Sequence, residues 1–282
     1  MNVKIVTDST SDLNAATARE LDIAVVPLFV NFGTREFLDR VDLDLERFHS
    51  LLASETALPT TTQPTAAMFE EVFAPLVAAG RPIVGLFISH RLSGTINSAK
   101  AAAERFPGAQ IEIVDTLSAT AGLGLVVERA AELARDGAGV EAIVAAAERD
   151  RSAQHGYATL PDLSHVVRTG RIGKARGAIG TLLRIVPVLQ LKDGEVTEEA
   201  RVRTFARAQE TIAESTVRNI GDVRRARIRV IHSHSPERAA ALLELLRSKL
   251  AQTPERIDIA EVGPVIAVHV GPGAVGIFSI AG

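Results

Sequence analysis

The chain has 282 residues, 46% of them hydrophobic and 23% charged, the balance of a packed globular protein with room for one large domain or two ordinary ones. Its 31 Lys and Arg against 34 Asp and Glu leave a net charge of −3, so no long-range field draws it toward nucleic acid or an anionic membrane. It has no Cys, no Trp and a single Tyr, Tyr157, which excludes disulfides, thiolate metal sites and cysteine nucleophiles and argues against base-stacking aromatic platforms.

In chain order, the sequence enters a strand at 3–6 without the apolar core or cleavage site of a signal peptide. No apolar run approaches the length of a membrane span, so a cytoplasmic protein is expected. Further strand-length apolar runs lie at 23–30, 82–89 and 111–114. Between and after them, helical periodicity covers 12–20, 44–54, 65–79, 95–106, 118–136 and 140–151. Asp42 or Asp44 can cap the second of these helices, and Gly137 can end the fifth. Alternation of this kind implies βαβ crossovers and a largely parallel sheet.

The second half has a different pattern. Asp193-Gly194 between apolar runs signals a hairpin, because this pair supplies the positive φ angles of a type I′ turn. Helices follow near 204–219 and 236–251 with a strand at 226–232 between them. Three more strands are predicted near 256–262, 265–270 and 276–280. The fold class is therefore α/β with two domains. The N-terminal one, over 1–155, carries a largely parallel sheet, and the C-terminal one, over 156–282, carries a mixed or antiparallel sheet with helices.

Some motifs lose their meaning in context. Gly271-Pro272-Gly273-Ala274-Val275-Gly276 spells G-x-G-x-x-G, yet the dinucleotide fingerprint needs a following helix, and six residues remain. Gly170 to Ala175 lacks the first glycine and the hydroxyl residue of a P-loop. His232 and His234 could form half of a zinc site, but no third ligand is evident, and no metal is expected.

Hydroxyls and one imidazole gather where strands end: Thr7-Asp8-Ser9-Thr10-Ser11-Asp12, Thr60-Thr61-Thr62-Gln63-Pro64-Thr65, Ser93-Gly94-Thr95, and His269, expected last but one in its strand. Ligands of open α/β sheets bind at the carboxyl ends of strands, and free N–H groups at helix starts favour anions. Ser93 and Thr62 can equally be helix N-caps, and Asp8 and Asp12 can be caps or Asx-turn residues.

These segments resemble the DegV family. Ile5-Val6-Thr7-Asp8-Ser9-Thr10-Ser11-Asp12-Leu13 looks like its opening, and Thr61-Thr62-Gln63-Pro64-Thr65 is similar to its Thr-Ser-Gln-Pro-Ser signature. Leu92-Ser93-Gly94-Thr95 matches its Ser-Gly-Thr helix start. Residues 163–173 resemble its Leu-x-x-Leu-x-x-Gly-Gly-Arg-Ile segment, with Thr169 in place of the first glycine, and His269-Val270-Gly271-Pro272-Gly273 resembles its late His-x-Gly-Pro-Gly turn. The resemblance implies a non-catalytic carrier of a long-chain fatty acid that lies between two α/β domains, with no other cofactor. By position, Thr61, Thr62, Ser93, Gly94 and His269 would hold the carboxylate. Phe29, Ile88, Ile96 and apolar residues of 178–185 are expected along the tail, although apolar residues at such positions are ordinarily core. The resemblance also implies a partner, a separate fatty acid kinase. Arg171, Lys174 and Arg203, with Arg168, Arg176 and Arg201 near them, are the expected docking surface or else a solvated face. The competing reading is a small-molecule hydrolase or phosphotransferase using Ser93 or Asp8, against which no oriented His–acid pair is evident beside Ser93.

Overall fold

A computed structural model describes residues 2–178 and 185–281. The chain divides into two compact units, Met1–Ser152 together with Gly263–Val265, and Ala153–Val262 together with Ile266–Gly282.

The first unit opens with β1 (Lys4–Asp8), α1 (Ala15–Glu20), β2 (Ile23–Val26), β3 (Phe29–Phe32), β4 (Arg35–Leu38), α2 (Leu45–Ser54) and β5 (Thr60–Thr62). It continues through α3 (Ala66–Ala78), β6 (Ile83–Phe87), α4 (Thr95–Ala103), β7 (Ile111–Asp115), α5 (Thr120–Arg135) and α6 (Val140–Ala153). Four strands form a parallel sheet in the order β2-β1-β6-β7. Parallel sheets are covered on both faces, which is why their strands read as continuous apolar runs. Val6, Ile83 and Phe87 share a core with Phe69 and Phe73 of α3 and Ile96 and Ala99 of α4, while α5 packs on β1 and β6. Asp44 caps α2 by accepting from the Arg47 amide, and Gly137 follows α5 at φ +91.

The run at 23–30 is not one strand. It breaks at Pro27 into β2 and β3, and β3 joins a small antiparallel sheet, β4-β3-β5. The sequence hides β5 because three threonines before a Gln-Pro carry no apolar alternation. Phe32 of this sheet meets Phe48 of α2 edge to face, with ring centroids 6.0 Å apart.

The second unit contains β8 (Gln154–Thr159), α7 (Ser164–Arg168), β9 (Val186–Lys192), β10 (Glu195–Val202), α8 (Phe205–Asn219), β11 (Arg227–His232), α9 (Pro236–Lys249), β12 (Arg256–Glu261) and β13 (Val275–Ile280). Between the last two strands, α10 (Pro264–Val270) starts in the first unit and ends in the second. The sheet order is β10-β9-β8-β13-β11-β12; β11 and β12 are parallel and the other neighbours antiparallel. Ile212 of α8 and Leu242 and Leu246 of α9 pack on Tyr157, Ile228, Val230 and Ile277 of the sheet. Asp193 at φ +50 and Gly194 at φ +79 make the expected turn between β9 and β10.

The strand expected at 265–270 is α10 instead. Its β-branched residues suggest a strand, but Pro264 stands at the first helical position, where its missing N–H costs nothing. Gly271, at φ +71, ends the helix and returns its N–H to the carbonyl of Ala267 at 2.9 Å. Residues 263–268 are all buried, so no strand-like alternation of exposure exists. The G-x-G-x-x-G string runs directly into β13. Among the described residues no helix is long and apolar enough to cross a membrane. Residues 179–184, within the segment expected along the tail, lie outside the described residues, as does the Arg176 side chain.

Candidate functional site

In the parallel sheet of the first unit, the chain leaves β1 toward β2 on one side and reaches β6 and β7 on the other. The reversal between β1 and β6 is the switch point where open α/β sheets place ligands. Asp8, the last residue of β1, ties the loops there together. It accepts from the amides of Ile88 at 3.0 Å and Thr10 at 2.9 Å, and from the Thr10 hydroxyl. Burial pushes its carboxyl up to about 6 against the pull of these bonds, with the nearby Asp12 adding to the rise. Asp8 is wholly buried and its oxygens are engaged, so it acts as a bridge rather than as an accessible nucleophile. It also caps the 3-10 turn Ser9–Ser11, whereas α1 is capped by Asn14.

Thr61 and Thr62 lie on β5, opposite Val30 and Phe29 of β3. Thr62 is exposed and accepts from the Asn31 carboxamide at 2.9 Å. It does not cap α3: Thr65 does, accepting from the Met68 amide at 3.4 Å. Ser93 does not occupy the cap position of α4 either. Gly94 does, with no side-chain cap, while Ser93 one residue earlier accepts from the Thr95 amide at 3.3 Å. The Gly94 N–H has no acceptor among the described residues, as expected at the start of a helix. Gln63 joins the two segments, its carboxamide lying against Gly94 and donating to Ser98 Oγ at 3.1 Å. Two hydroxyls, one open amide and a helix N-terminus thus stand at the carboxyl end of the sheet, the donor set that suits an anion. Ile88 is buried beside Asp8, Ile96 sits in the core with Phe69 and Phe73, and Phe29 is half-buried.

An oriented His–acid pair, not foreseen in the sequence, lies in the same loop. His90 Nδ1 meets the Asp115 carboxylate, which also accepts from the Leu117 amide at 3.0 Å. No hydrogen bond joins His90 to Ser93 among the described residues, so the pair fastens the loop after β6 to that after β7. A second group, of whose members the sequence singles out Asp12 alone, is buried nearby. Asp12 accepts from Thr120 Oγ1 at 2.6 Å, the Gly263 amide at 2.7 Å and Arg40 Nη2 at 3.4 Å; burial raises its carboxyl while Arg40 opposes the rise. Asp39 is equally buried, with the Ser9 hydroxyl, the Arg40 charge and the Val265 amide facing it, and burial pushes its carboxyl up to about 7. Asp12 and its partners Arg40 and Thr120 are among the non-glycine residues at positive φ, a feature that only the structure reveals.

In the second unit, His269 stands in the last turn of α10, not in a strand. Its ring is half-buried with Nδ1 inside. Burial, then the Arg171 charge and His165, push it down to about 3, so at neutral pH it is an uncharged imidazole with one donor and one acceptor. His165 is itself fixed, Nδ1 lying 3.2 Å from the Val268 carbonyl oxygen. A Cβ on Gly271 would come within 2.7 Å of that ring. Arg168, Arg171, Lys174, Arg201 and Arg203 are exposed. Lys174 pairs with Glu195 at 3.0 Å and Arg201 with Glu198 at 2.8 Å, so acidic neighbours offset part of this basic surface. Arg171 Nη1 donates to the Thr169 carbonyl oxygen at 2.6 Å. His232 Nδ1 accepts from the Ser235 amide at 3.3 Å.

A family model described as "Uncharacterised protein, DegV family" matches residues 2–282. A DegV domain-containing protein of Deinococcus radiodurans is 36% identical over 277 residues, covering 98% of each chain. The structure described as fatty acid binding of a DegV family protein from Thermus thermophilus superposes with a TM-score of 0.93 at 36% identity, covering 100% of both chains. A fatty acid binding DegV family protein from Streptococcus agalactiae gives a TM-score of 0.91 at 28% identity, covering 100% of this chain and 99% of its own.

Proposed function

The chain belongs to the DegV family, and from that premise we propose that it binds a long-chain fatty acid, such as palmitate or oleate, and performs no covalent chemistry itself. The observation that carries this reading is the donor set at the switch point. Ser93 and Thr62 are hydroxyls that do not stand at the cap positions of their helices. The amide of Gly94, a residue next to Ser93 in the chain and touched by Gln63, has no acceptor among the described residues. In our reading Thr61, Thr62, Ser93 and Gly94 hold the carboxylate, with His269 as the neutral imidazole donor carried over from the resemblance. Phe29, Ile88 and Ile96 are our assignment for the tail.

The energetics are favourable. A buried methylene is worth about 0.8 kcal/mol, so roughly fourteen offer on the order of 11 kcal/mol, from which ordering the chain removes several. The carboxylate is the costly part, because a charge leaves water at a loss unless several donors meet it.

We further propose that the protein works in the cytoplasm as a lipid carrier and presents its fatty acid to a separate fatty acid kinase, which docks through Arg171, Lys174 and Arg203. Native mass spectrometry of the purified protein, with organic extraction, tests the binding reading. A stoichiometric C14–C18 fatty acid, lost in Ser93→Ala, is expected. A protein that arrives empty and takes up neither palmitate nor oleate would leave a shared fold without the ligand and return the hydrolase reading to first place.

A further inference from the structure

Ser93 Oγ and Thr95 Oγ1 lie 2.8 Å apart, and geometry alone lets either hydroxyl donate. Thr95 is fully buried, and among the described residues its hydroxyl bonds to Ser93 alone. Were Ser93 the donor, the Thr95 proton would be buried with no acceptor, an arrangement native proteins avoid. Thr95 is therefore the donor. Its amide also donates to Ser93 Oγ, at 3.3 Å. A hydroxyl oxygen has two lone pairs and one proton, so Thr95 occupies both lone pairs and leaves the proton of Ser93 as the group's one remaining valence.

Resting on the fatty-acid reading above, we infer that Thr95 is a positioning residue that makes Ser93 an obligate donor and so selects a head group able only to accept, a carboxylate, over one that can also donate, such as an alcohol. An incoming hydrogen bond polarises the hydroxyl that receives it and strengthens its own donation, and a bond donated to an ionised acceptor is stronger than one between neutral groups. A Ser93 freed from Thr95 could turn and accept from an alcohol, and the discrimination would fall.

The test compares palmitate with 1-hexadecanol, two ligands of equal tail length, by isothermal titration of delipidated protein. Thr95→Val keeps the shape and removes the hydroxyl, while Thr95→Ser keeps the hydroxyl. The expected result is a loss of palmitate affinity of about three- to tenfold in Thr95→Val, the worth of one hydrogen bond, with hexadecanol affinity unchanged or improved. Thr95→Ser restores the preference. Equal losses for both ligands in Thr95→Val, or a preference that does not change, overturn the inference while leaving fatty-acid binding intact. Wild-type protein that binds hexadecanol as tightly as palmitate also overturns it, and wild-type protein that binds neither overturns both readings. Should Thr95→Val fail to fold, Thr95→Ala carries the same expectation.

Discussion

The Gln63 carboxamide occupies the space where a side chain at Gly94 would begin: a Cβ there would overlap Oε1 and lie 3.0 Å from Nε2. The two segments assigned to the carboxylate, one ending at Thr62 and the other beginning at Ser93, therefore touch through these residues. Gly94→Ala must push Gln63 aside and break its bond to Ser98. Gln63 is exposed, so the fold should lose no more than about 0.5 kcal/mol, while palmitate affinity should fall by about 1 kcal/mol. In a Gln63→Ala background the same change should cost clearly less, a coupling within the range of about 0.5–3 kcal/mol found for contacting residues. Additive effects in a double-mutant cycle would show that this contact does not set the spacing.

The parts of the fold legible in the sequence are those whose physics is local. The strand at 83–87 is buried at every position, and the 193–194 turn carries its conformation in its residue types. The last helix is misread for the opposite reason: its Val and Ile residues favour a strand, and Pro264 with Gly271 outweighs them. Thr62 and Ser93 stand out as polar residues near helix starts, yet telling a cap from an open donor needs the position of Thr65 and Gly94 relative to the first turn. The grouping of Asp12 with Asp39 and Arg40 is beyond sequence reading, because Gly263 reaches Asp12 across 251 residues.

Asp39 should make stability depend on pH in an unusual direction. Its carboxyl stands at about 7 and that of Asp8 at about 6, against ordinary values of 3.8. The native protein thus holds protons that the unfolded chain releases between about pH 4 and 7. Their contribution is fully present below about pH 4 and is lost as pH rises through the folded values. Asp39→Asn keeps the shape without the charge, so it should gain about 1–3 kcal/mol at about pH 8 and change little at about pH 4. Urea denaturation at the two pH values measures this. A variant weakened equally at both would mean that the ionised carboxylate makes contacts worth more than its desolvation.

His269 works in the opposite sense. Its folded value of about 3 lies below the ordinary 6.5, so its contribution is present above about pH 6.5 and declines as pH falls toward about 3. For binding, an uncharged imidazole donor is available throughout the neutral range. His269→Ala should weaken palmitate binding by about 1–3 kcal/mol, the cost of leaving a buried polar group unpaired. Unchanged affinity in a titration at neutral pH would remove His269 from the site.

Arg203 offers a way to separate ligand binding from transfer to the kinase. Like Arg171, it is exposed and belongs to the basic surface assigned to docking. Charge reversal at Arg203 should leave palmitate affinity within about twofold while slowing acyl-phosphate formation by a partner kinase at least about tenfold, since Arg forks match phosphate geometry. Reversal at Arg171, whose charge also acts on His269, should weaken both. Unchanged turnover with the kinase would reduce the cluster to a solvated face.

Asp12 holds together stretches of chain far apart in sequence: the loop after β1, the turn carrying Arg40, the start of α5 at Thr120, and Gly263 before α10. It does so from a left-handed backbone at φ +53, which Asp tolerates better than most residues. Asp12→Ala removes the acceptor from all three donors and takes a buried carboxylate away from Arg40, so about 3–5 kcal/mol of stability should go. Asp12→Asn retains one oxygen for the Thr120 hydroxyl or the Gly263 amide and should lose only about 1–2 kcal/mol. Hydrogen exchange distinguishes this account from general loosening. The Gly263 amide should exchange faster in both variants, while amides of β11 and β13, far along the chain from Asp12 and bonded within their own sheet, keep their protection relative to global stability. A Gly263 amide that stays as protected in Asp12→Ala as in the wild type would mean that the start of α10 is held by something other than this carboxylate.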